Sequence, residues 1–383
     1  MTDTLQVQGE FAPAESSFAA ETLAAAVVAD AAADAVTAEP NGFIELGLAP
    51  ELVQAVADLG YTQPTSVQLK AIPLAMGSGN DSTSFIDLMV SSQTGSGKTA
   101  AFLLPVLHTL IQQQAAAEAE ERAAFERAVA EAAARGEPAP KRAKRKDPTN
   151  SRNFKAATPG ALILCPTREL AQQVAHDAID LVKHCRGLRV ANVVGGMPYQ
   201  LQIAKLQNAN LVVATPGRLL DLQRSMQIKL DKVQFLVVDE ADRMLDLGFS
   251  DDLAELNQLT AQRKQTMMFS ATFAPRIQQL AMRVMHDGGA SVQKVTIDSP
   301  QEKHANIKQM LYWADNAQHK RKLLDHWLRD TSINQAIVFA STQVECDGLA
   351  NDLQQEGFSA VALHGALSQG LRNRRLMALR SGQ

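Results

Sequence analysis

Phe235-Leu236-Val237-Val238-Asp239-Glu240-Ala241-Asp242 decides the fold. The first four residues are apolar, partly β-branched and unbroken, which predicts a strand buried on both faces of a parallel sheet. Two carboxylates follow at once. Ligands of open α/β sheets sit beyond the carboxyl ends of the strands. A buried acid is costly unless it meets a cation or a reacting group. Adjacent acids at such a strand end therefore point to a metal and a general base. The plain alternative is a strand that stops at a polar turn.

Upstream lies Ser91-Ser92-Gln93-Thr94-Gly95-Ser96-Gly97-Lys98-Thr99. It follows a strand-like run, 85–90, and opens an apolar helical start at Ala100. Strand, glycine-rich turn and helix is the setting of a phosphate-binding loop. Gly95 and Gly97 let backbone N–H groups approach phosphate oxygens, and the helix N-terminus adds favourable partial charge. In this reading Lys98 reaches the β- and γ-phosphates of a bound ligand, and the Thr99 hydroxyl ligates Mg²⁺. The strict pattern asks for glycine where Ser92 stands. A polar loop between two elements is the bland reading. The acidic strand end makes it untenable.

The composition is that of a soluble globular protein, 46% apolar and 20% charged over 383 residues. The net charge of −4 hides an asymmetry. Residues 1–40 carry seven acids and no Lys or Arg, so the remainder is +3 (−4 + 7). Nucleic-acid binding must then rest on local sites. Cys165, Cys185 and Cys346 show no paired or metal-ligand spacing, and a reducing cytoplasm fits. No run is long and apolar enough for a membrane span. The alanine-rich segment 19–36 lacks the basic leading region of a signal peptide.

Residues 1–40 are acidic, alanine-rich and predicted to be disordered. From 41 to 298 strand-like and helix-like runs alternate, with strands expected at 161–165, 190–194, 211–214, 235–238 and 266–269 and helices at 169–184 and 275–285. This predicts an α/β, doubly wound parallel sheet. Residues 112–158 interrupt it as a surface insertion: an alanine- and glutamate-rich helix, then Lys-Arg-Ala-Lys-Arg-Lys at 141–146. That run is either a phosphate-contacting arm or a solvated tether. Residues 299–306 read as a linker. A second alternating unit spans 307–383, with strands expected at 310–314, 336–340 and 360–363 and helices at 319–329, 344–355 and 371–380. Thr342 and Gly357 suit the caps of its middle helix. Three strands leave this unit incomplete.

In order and spacing, Phe43 to Gln383 resembles the DEAD-box ATP-dependent RNA helicases, built of two RecA-like domains. Gly60-Tyr61-Thr62-Gln63-Pro64-Thr65-Ser66-Val67-Gln68 matches the family's adenine motif, and Phe43 stands where the family has a base-stacking aromatic. Pro166-Thr167-Arg168, Gly195-Gly196 and Thr215-Pro216-Gly217-Arg218 match its RNA-contacting motifs, whose hydroxyls, N–H groups and arginines suit a nucleic-acid backbone rather than base edges. Thr342 and Arg372 match such positions in the second unit, where Ala366 replaces a common aspartate. Ser270-Ala271-Thr272 matches the motif that, with Asp242, couples the nucleotide to RNA.

The resemblance implies ATP bound by Phe43, Gln68 and Thr94 to Thr99, with Ser96 in the loop. Thr99 and Asp239 serve Mg²⁺, Lys98 the phosphates, and Glu240 the attacking water. It implies a monomer acting on single-stranded or short duplex RNA, with ribonucleoprotein partners. The family's later motifs, including arginines that reach the γ-phosphate, would lie beyond Gln383. A chain truncated within the second domain is therefore expected, one that hydrolyses ATP poorly. Two alternatives stay open at this point: a phosphate-loop ATPase acting on DNA, and a non-catalytic RNA- or partner-binding fragment.

Overall fold

Among the described residues seven parallel strands make one sheet: β1 Leu88–Ser91, β2 Ala161–Leu164, β3 Val190–Val193, β4 Leu211–Ala214, β5 Phe235–Val238, β6 Gln265–Ser270 and β7 Gln293–Thr296. Their spatial order is β3-β4-β2-β5-β6-β1-β7. The computed structural model describes residues 41–77, 84–93, 95–144, 151–297 and 308–382. The acidic segment 1–40, the linker 299–306 and Thr94 lie outside the described residues.

The double-faced burial read from 235–238 is observed strand by strand. Phe235 and Val237 of β5 enter one core cluster, and Leu236 and Val238 enter the other. In β2, Ala161 and Ile163 alternate with Leu162 and Leu164 in the same way. This is the period-two geometry of a strand covered by helices on both sides. One layer holds α1 Pro50–Asp58, α2 Ser66–Met76, α3 Lys98–Ala134 and α4 Arg168–Leu181. The opposite layer holds α5 Tyr199–Leu206, α6 Pro216–Arg224, α7 Ala241–Asp246, α8 Ser250–Leu259 and α9 Pro275–Val284.

β7 escaped the sequence reading because it has no apolar run. Of Gln293-Lys294-Val295-Thr296 only Val295 is buried, and the strand sits at the sheet edge beside β1. The helix expected from 112 onwards forms as the continuation of the preceding one. α3 runs unbroken from the phosphate loop through 112 to Ala134, and the chain rejoins the body where Ala157 bridges Ile228.

The second unit departs further from expectation. Its helices α10 Ala317–Leu328, α11 Gln343–Gln355 and α12 Gln369–Arg380 form, and Thr342 caps α11 through a capping box with Glu345. Gly357, just past the C-cap, takes the left-handed φ of +90° that the cap reading requires. The strands expected at 310–314, 336–340 and 360–363 do not form among the described residues. Their large apolar side chains lie open, Phe339 at 93% and Trp313 at 85% exposure. Parallel strands need cover on both faces, and these segments lack it.

No helix among the described residues is long and apolar enough to cross a membrane. His108 on α3 ties the turn before α1 to this layer. Its Nδ1 accepts the Ala49 backbone N–H at 2.9 Å, and burial pushes its imidazole below the ordinary value. The neutral ring is therefore the native form. A histidine depressed in this way stabilises fully above its unfolded pKa, and the contribution is lost as pH falls from there towards the folded pKa. His108→Leu should lower stability at pH 7.5 by about 1–3 kcal/mol through the orphaned N–H. The gap in urea midpoint between the two proteins should narrow at pH 5.5.

Candidate active site and nucleic-acid interface

The strand order sorts the candidate motifs into two halves of one edge. The phosphate loop follows β1, Asp239-Glu240-Ala241-Asp242 follows β5, and Ser270-Ala271-Thr272 follows β6. These three strands are neighbours in the order β5-β6-β1. Pro166-Thr167-Arg168 follows β2, Gly195-Gly196 follows β3 and Thr215 to Arg218 follows β4, again neighbours in the order β3-β4-β2. Parallel strands put all six segments at the carboxyl edge, where open α/β sheets bind ligands.

A cavity of about 210 Å³ lies in the first half, lined by Ser92, Lys98, Glu240, Asp242, Arg243 and Ala271. Lys98 starts α3, and its Nζ stands 2.9 Å from Asp239 Oδ1 and 3.3 Å from Glu240 Oε1. Asp239 is wholly buried and Lys98 is 8% exposed. Burial works against the Lys98 charge, but Asp239 and Glu240 outweigh it and hold the ammonium above the ordinary lysine value. Burial pushes the Asp239 carboxyl up in spite of Lys98. Cys165 is fully buried nearby, and burial followed by the charge of Asp239 raises its thiol far beyond reactivity.

Glu240 sits at φ +50°, ψ +56°, a left-handed conformation that costs a non-glycine residue. It joins β5 directly to α7. Such strain tends to collect at functional sites. The surrounding structure offsets that cost, and the resulting turn places the Glu240 carboxylate at the cavity beside Lys98.

Ser92 Oγ, Ser96 Oγ and Ser270 Oγ are buried without a hydrogen-bond partner, and of the Asp239 carboxylate only Oδ1 meets one, the Lys98 ammonium. Such groups are rare and call for an explanation. A phosphate chain with a hydrated cation would supply acceptors for the three hydroxyls and water donors for the carboxylate. No group of three or more His, Cys, Asp or Glu suited to a metal exists among the described residues.

Gln68 is the N3 residue of the Thr65 capping box: its Oε1 accepts the Thr65 N–H at 3.0 Å. Its Nε2 donates to the Gly97 carbonyl at 3.1 Å. The adenine motif thus grips the phosphate loop directly. Gly97 has φ +84°, and a Cβ there would meet Gln68 Nε2 at 2.7 Å and Thr65 Oγ1 at 2.8 Å. Gly97→Ala should therefore weaken ATP-analogue binding and cost about 1–3 kcal/mol of stability, since both φ and space exclude the methyl. A thermal melt and a titration check it.

Phe43 does not stand open to a base. It is 2% exposed and packed into the core cluster. Gly42 N donates to Thr62 O at 2.9 Å, tying this segment to the adenine motif. The expected pairing of Asp242 with Ser270 and Thr272 is also not formed. Ser270 Oγ has no partner, and Thr272 is exposed. Arg243, at the cavity wall, was missed by the sequence reading; its only signal was its place directly after Asp242.

In the second half the Arg168 guanidinium lies on the glycine pair. A Cβ at Gly196 would meet Arg168 Nη1 at 2.7 Å, and one at Gly195 would meet Nη2 at 3.5 Å. Thr167 caps α4 by accepting the Leu170 N–H. Pro166 is buried, as are Thr215 and Pro216 at the start of α6, while Gly217 is exposed. Arg218 Nη1 donates to Met197 O and Gln202 Oε1, both at 3.1 Å, and its guanidinium lies 5.6 Å from the Tyr199 ring centre. From α12, Arg372 pairs with Glu169, and Gln369 Oε1 accepts from Arg168 at 3.3 Å. Thr342 does not join this cluster: it is exposed and its hydroxyl is used in its own cap.

The sequence profile of the family described as DEAD/DEAH box helicase matches residues 65–280. The RNA helicase CrhR of Synechocystis sp. is 35% identical over 342 residues, which are 89% of this chain and 58% of that protein. The ATP-dependent RNA helicase SrmB of Escherichia coli is 34% identical over 343 residues, 89% of this chain and 66% of that protein. The chain thus spans less than two thirds of either relative. Among solved structures, S. cerevisiae Dbp5 bound to RNA and ADP BeF3 superposes with a TM-score of 0.69 at 27% identity. The match covers 89% of this chain and 74% of that one. Profile, relatives and fold agree with the strand-end motifs: the chain belongs to the DEAD/DEAH box helicase family, within its DEAD-box branch.

Proposed function

We propose that the protein is an ATP-dependent RNA helicase that couples ATP hydrolysis to local opening of RNA duplexes. One observation carries this reading: the nucleotide motifs and the backbone-binding motifs occupy adjacent halves of a single sheet edge, meeting between β5 and β2. ATP places its phosphates on the loop Gly95 to Thr99, with Lys98 turned from the acids towards the β- and γ-phosphates. Gln68 exchanges its internal bonds for the adenine edge. Asp239 and Thr99 would hold Mg²⁺, which neutralises phosphate charge when bound. Glu240 orients the attacking water and accepts its proton.

Arg168, the Gly195-Gly196 turn and the Thr215 to Arg218 segment take backbone phosphates and sugars of one strand, which reads shape and not sequence. Arg372 adds a contact from the second unit. Asp242 approaches Ser270 and Thr272 when nucleotide binds, passing its state to the RNA half. No residue of 308–382 lines the cavity. A polypeptide of these 383 residues alone should therefore turn over slowly, because the γ-phosphate gains no cation from that unit.

Initial rates of ATP hydrolysis with matched single-stranded RNA and DNA test the assignment. Stimulation by RNA well above that by DNA is expected. Equal stimulation would favour a DNA-acting ATPase, and no turnover with either would favour a binding module.

A further inference from the structure

We propose that Lys141, Arg142 and Lys144, carried by the segment that folds back along a helical stalk, form a second RNA-backbone site at the pole opposite the motif edge. The proposal rests on the RNA reading above for its choice of polyanion.

α3 begins at the phosphate loop and runs back past the other edge of the sheet. Its buried residues stop at Leu110, apart from Ala132 near its end. The last twenty residues, Ala115–Ala134, extend about 30 Å at 1.5 Å per residue. The base of this stalk is clamped where strands begin. Gln113 and Gln234 exchange two amide hydrogen bonds, 2.7 and 2.9 Å, just before β5. Gln114 donates to Arg186 O at 2.9 Å, just before β3. Leu110 packs under Gly160, just before β2, where a Cβ would come within 3.1 Å. Three anchors beneath three strands make a directed arm.

The chain then turns back at Gly136, φ +71°, and lies along the stalk. The Arg142 guanidinium stacks 5.2 Å from the Phe125 ring centre. Phe125 and Val129 form the only large apolar pair on this otherwise alanine-rich shaft, so Arg142 sits where the shaft can hold it. Residues 141–144 are all exposed.

Charge selects the partner. The shaft, residues 115–137, carries six glutamates against three arginines, whereas 141–144 carries three cations and no acid. A polyanion is repelled by the shaft and accepted at the return segment. The body gives only a weak field of its own, since residues 41–383 together carry +3. An RNA strand seated at the motif edge reaches this segment only if a flanking structured region extends around the body. The stalk then raises the local concentration of that flank and adds avidity without touching the reacting strand.

The test compares two RNAs on the full chain: a short single strand, and the same strand extended by a long hairpin. The wild type should bind the extended RNA more tightly. The triple variant K141A/R142A/K144A should bind the short strand as the wild type does. It should bind the extended RNA on the order of tenfold or more weakly at low salt, with the salt slope reduced by about 2–3, as expected for three lost phosphate contacts. The charge-preserving swap K141R/R142K/K144R should restore binding. Unchanged affinity and salt slope on the extended RNA would overturn the site and leave the stalk to a protein partner or to solvent. Equal weakening on both RNAs would overturn it too, since a remote site cannot act on the short strand. If neither protein binds the short strand, the motif-edge reading fails, yet the difference on the extended RNA still decides the stalk site.

Discussion

Glu240→Gln should abolish ATP turnover while leaving ATP-analogue affinity within a few-fold of the wild type. Glu240 lines the cavity, lies 3.3 Å from Lys98 Nζ, and is held there by a left-handed backbone. The amide has the same shape and pays the same φ penalty, so the loop and β5 should be undisturbed. It cannot accept a proton from water. Loss of a positioned general base reduces rate by about 10²–10⁴-fold, and that loss should appear in kcat with the analogue's Kd nearly constant. Glu240→Gly makes the complementary point. It removes the base and also the strain, so the protein should be inactive and no less stable. If Glu240→Gln turns over normally, the base lies elsewhere.

Lys98→Met should cost stability as well as nucleotide. Lys98 is the cation beside the buried Asp239. Breaking a buried pair by removing one partner typically costs about 3–5 kcal/mol, because the remaining charge is left uncompensated. Asp239 can escape by taking a proton, and burial already favours that form. The sign follows. With its folded pKa raised above the unfolded value, the carboxylate is harmless below the unfolded pKa, and its penalty grows as pH rises towards the folded one. Denaturation of Lys98→Met should therefore show a deficit relative to wild type that is larger at pH 7.5 than at pH 5. ATP-analogue binding should be lost at both. A pH-independent deficit would mean that Asp239 finds another partner when Lys98 is gone.

The sheet was legible wherever a strand is buried on both faces, because such a strand must be an apolar run. β5 and β2 are of this kind. β7 was invisible because one buried Val295 in a polar edge strand leaves no pattern. The three apolar segments of the second unit misled for the converse reason: hydrophobic pattern predicts a strand only where cover exists, and Phe339 has none. At the site, Lys98, Asp239 and Glu240 came together as their motifs imply. Phe43 did not reach an open face, and Asp242 did not bond Ser270. A motif fixes which residues gather at an edge, but not which hydrogen bonds they make there. The hold of Gln68 on Gly97 and the rest of Arg168 on the glycine pair were beyond sequence, since both depend on loops from distant strands.

The central claim is that one sheet edge links nucleotide to RNA across β5 and β2. The most direct measurement is the affinity of a labelled single-stranded RNA, with and without a saturating non-hydrolysable ATP analogue. Linkage requires each ligand to tighten the other by the same factor. The account predicts that the analogue tightens RNA binding by about 5–150-fold, the usual span of coupled sites, and that Lys98→Met abolishes the effect. RNA affinity that is the same with and without the analogue would contradict it.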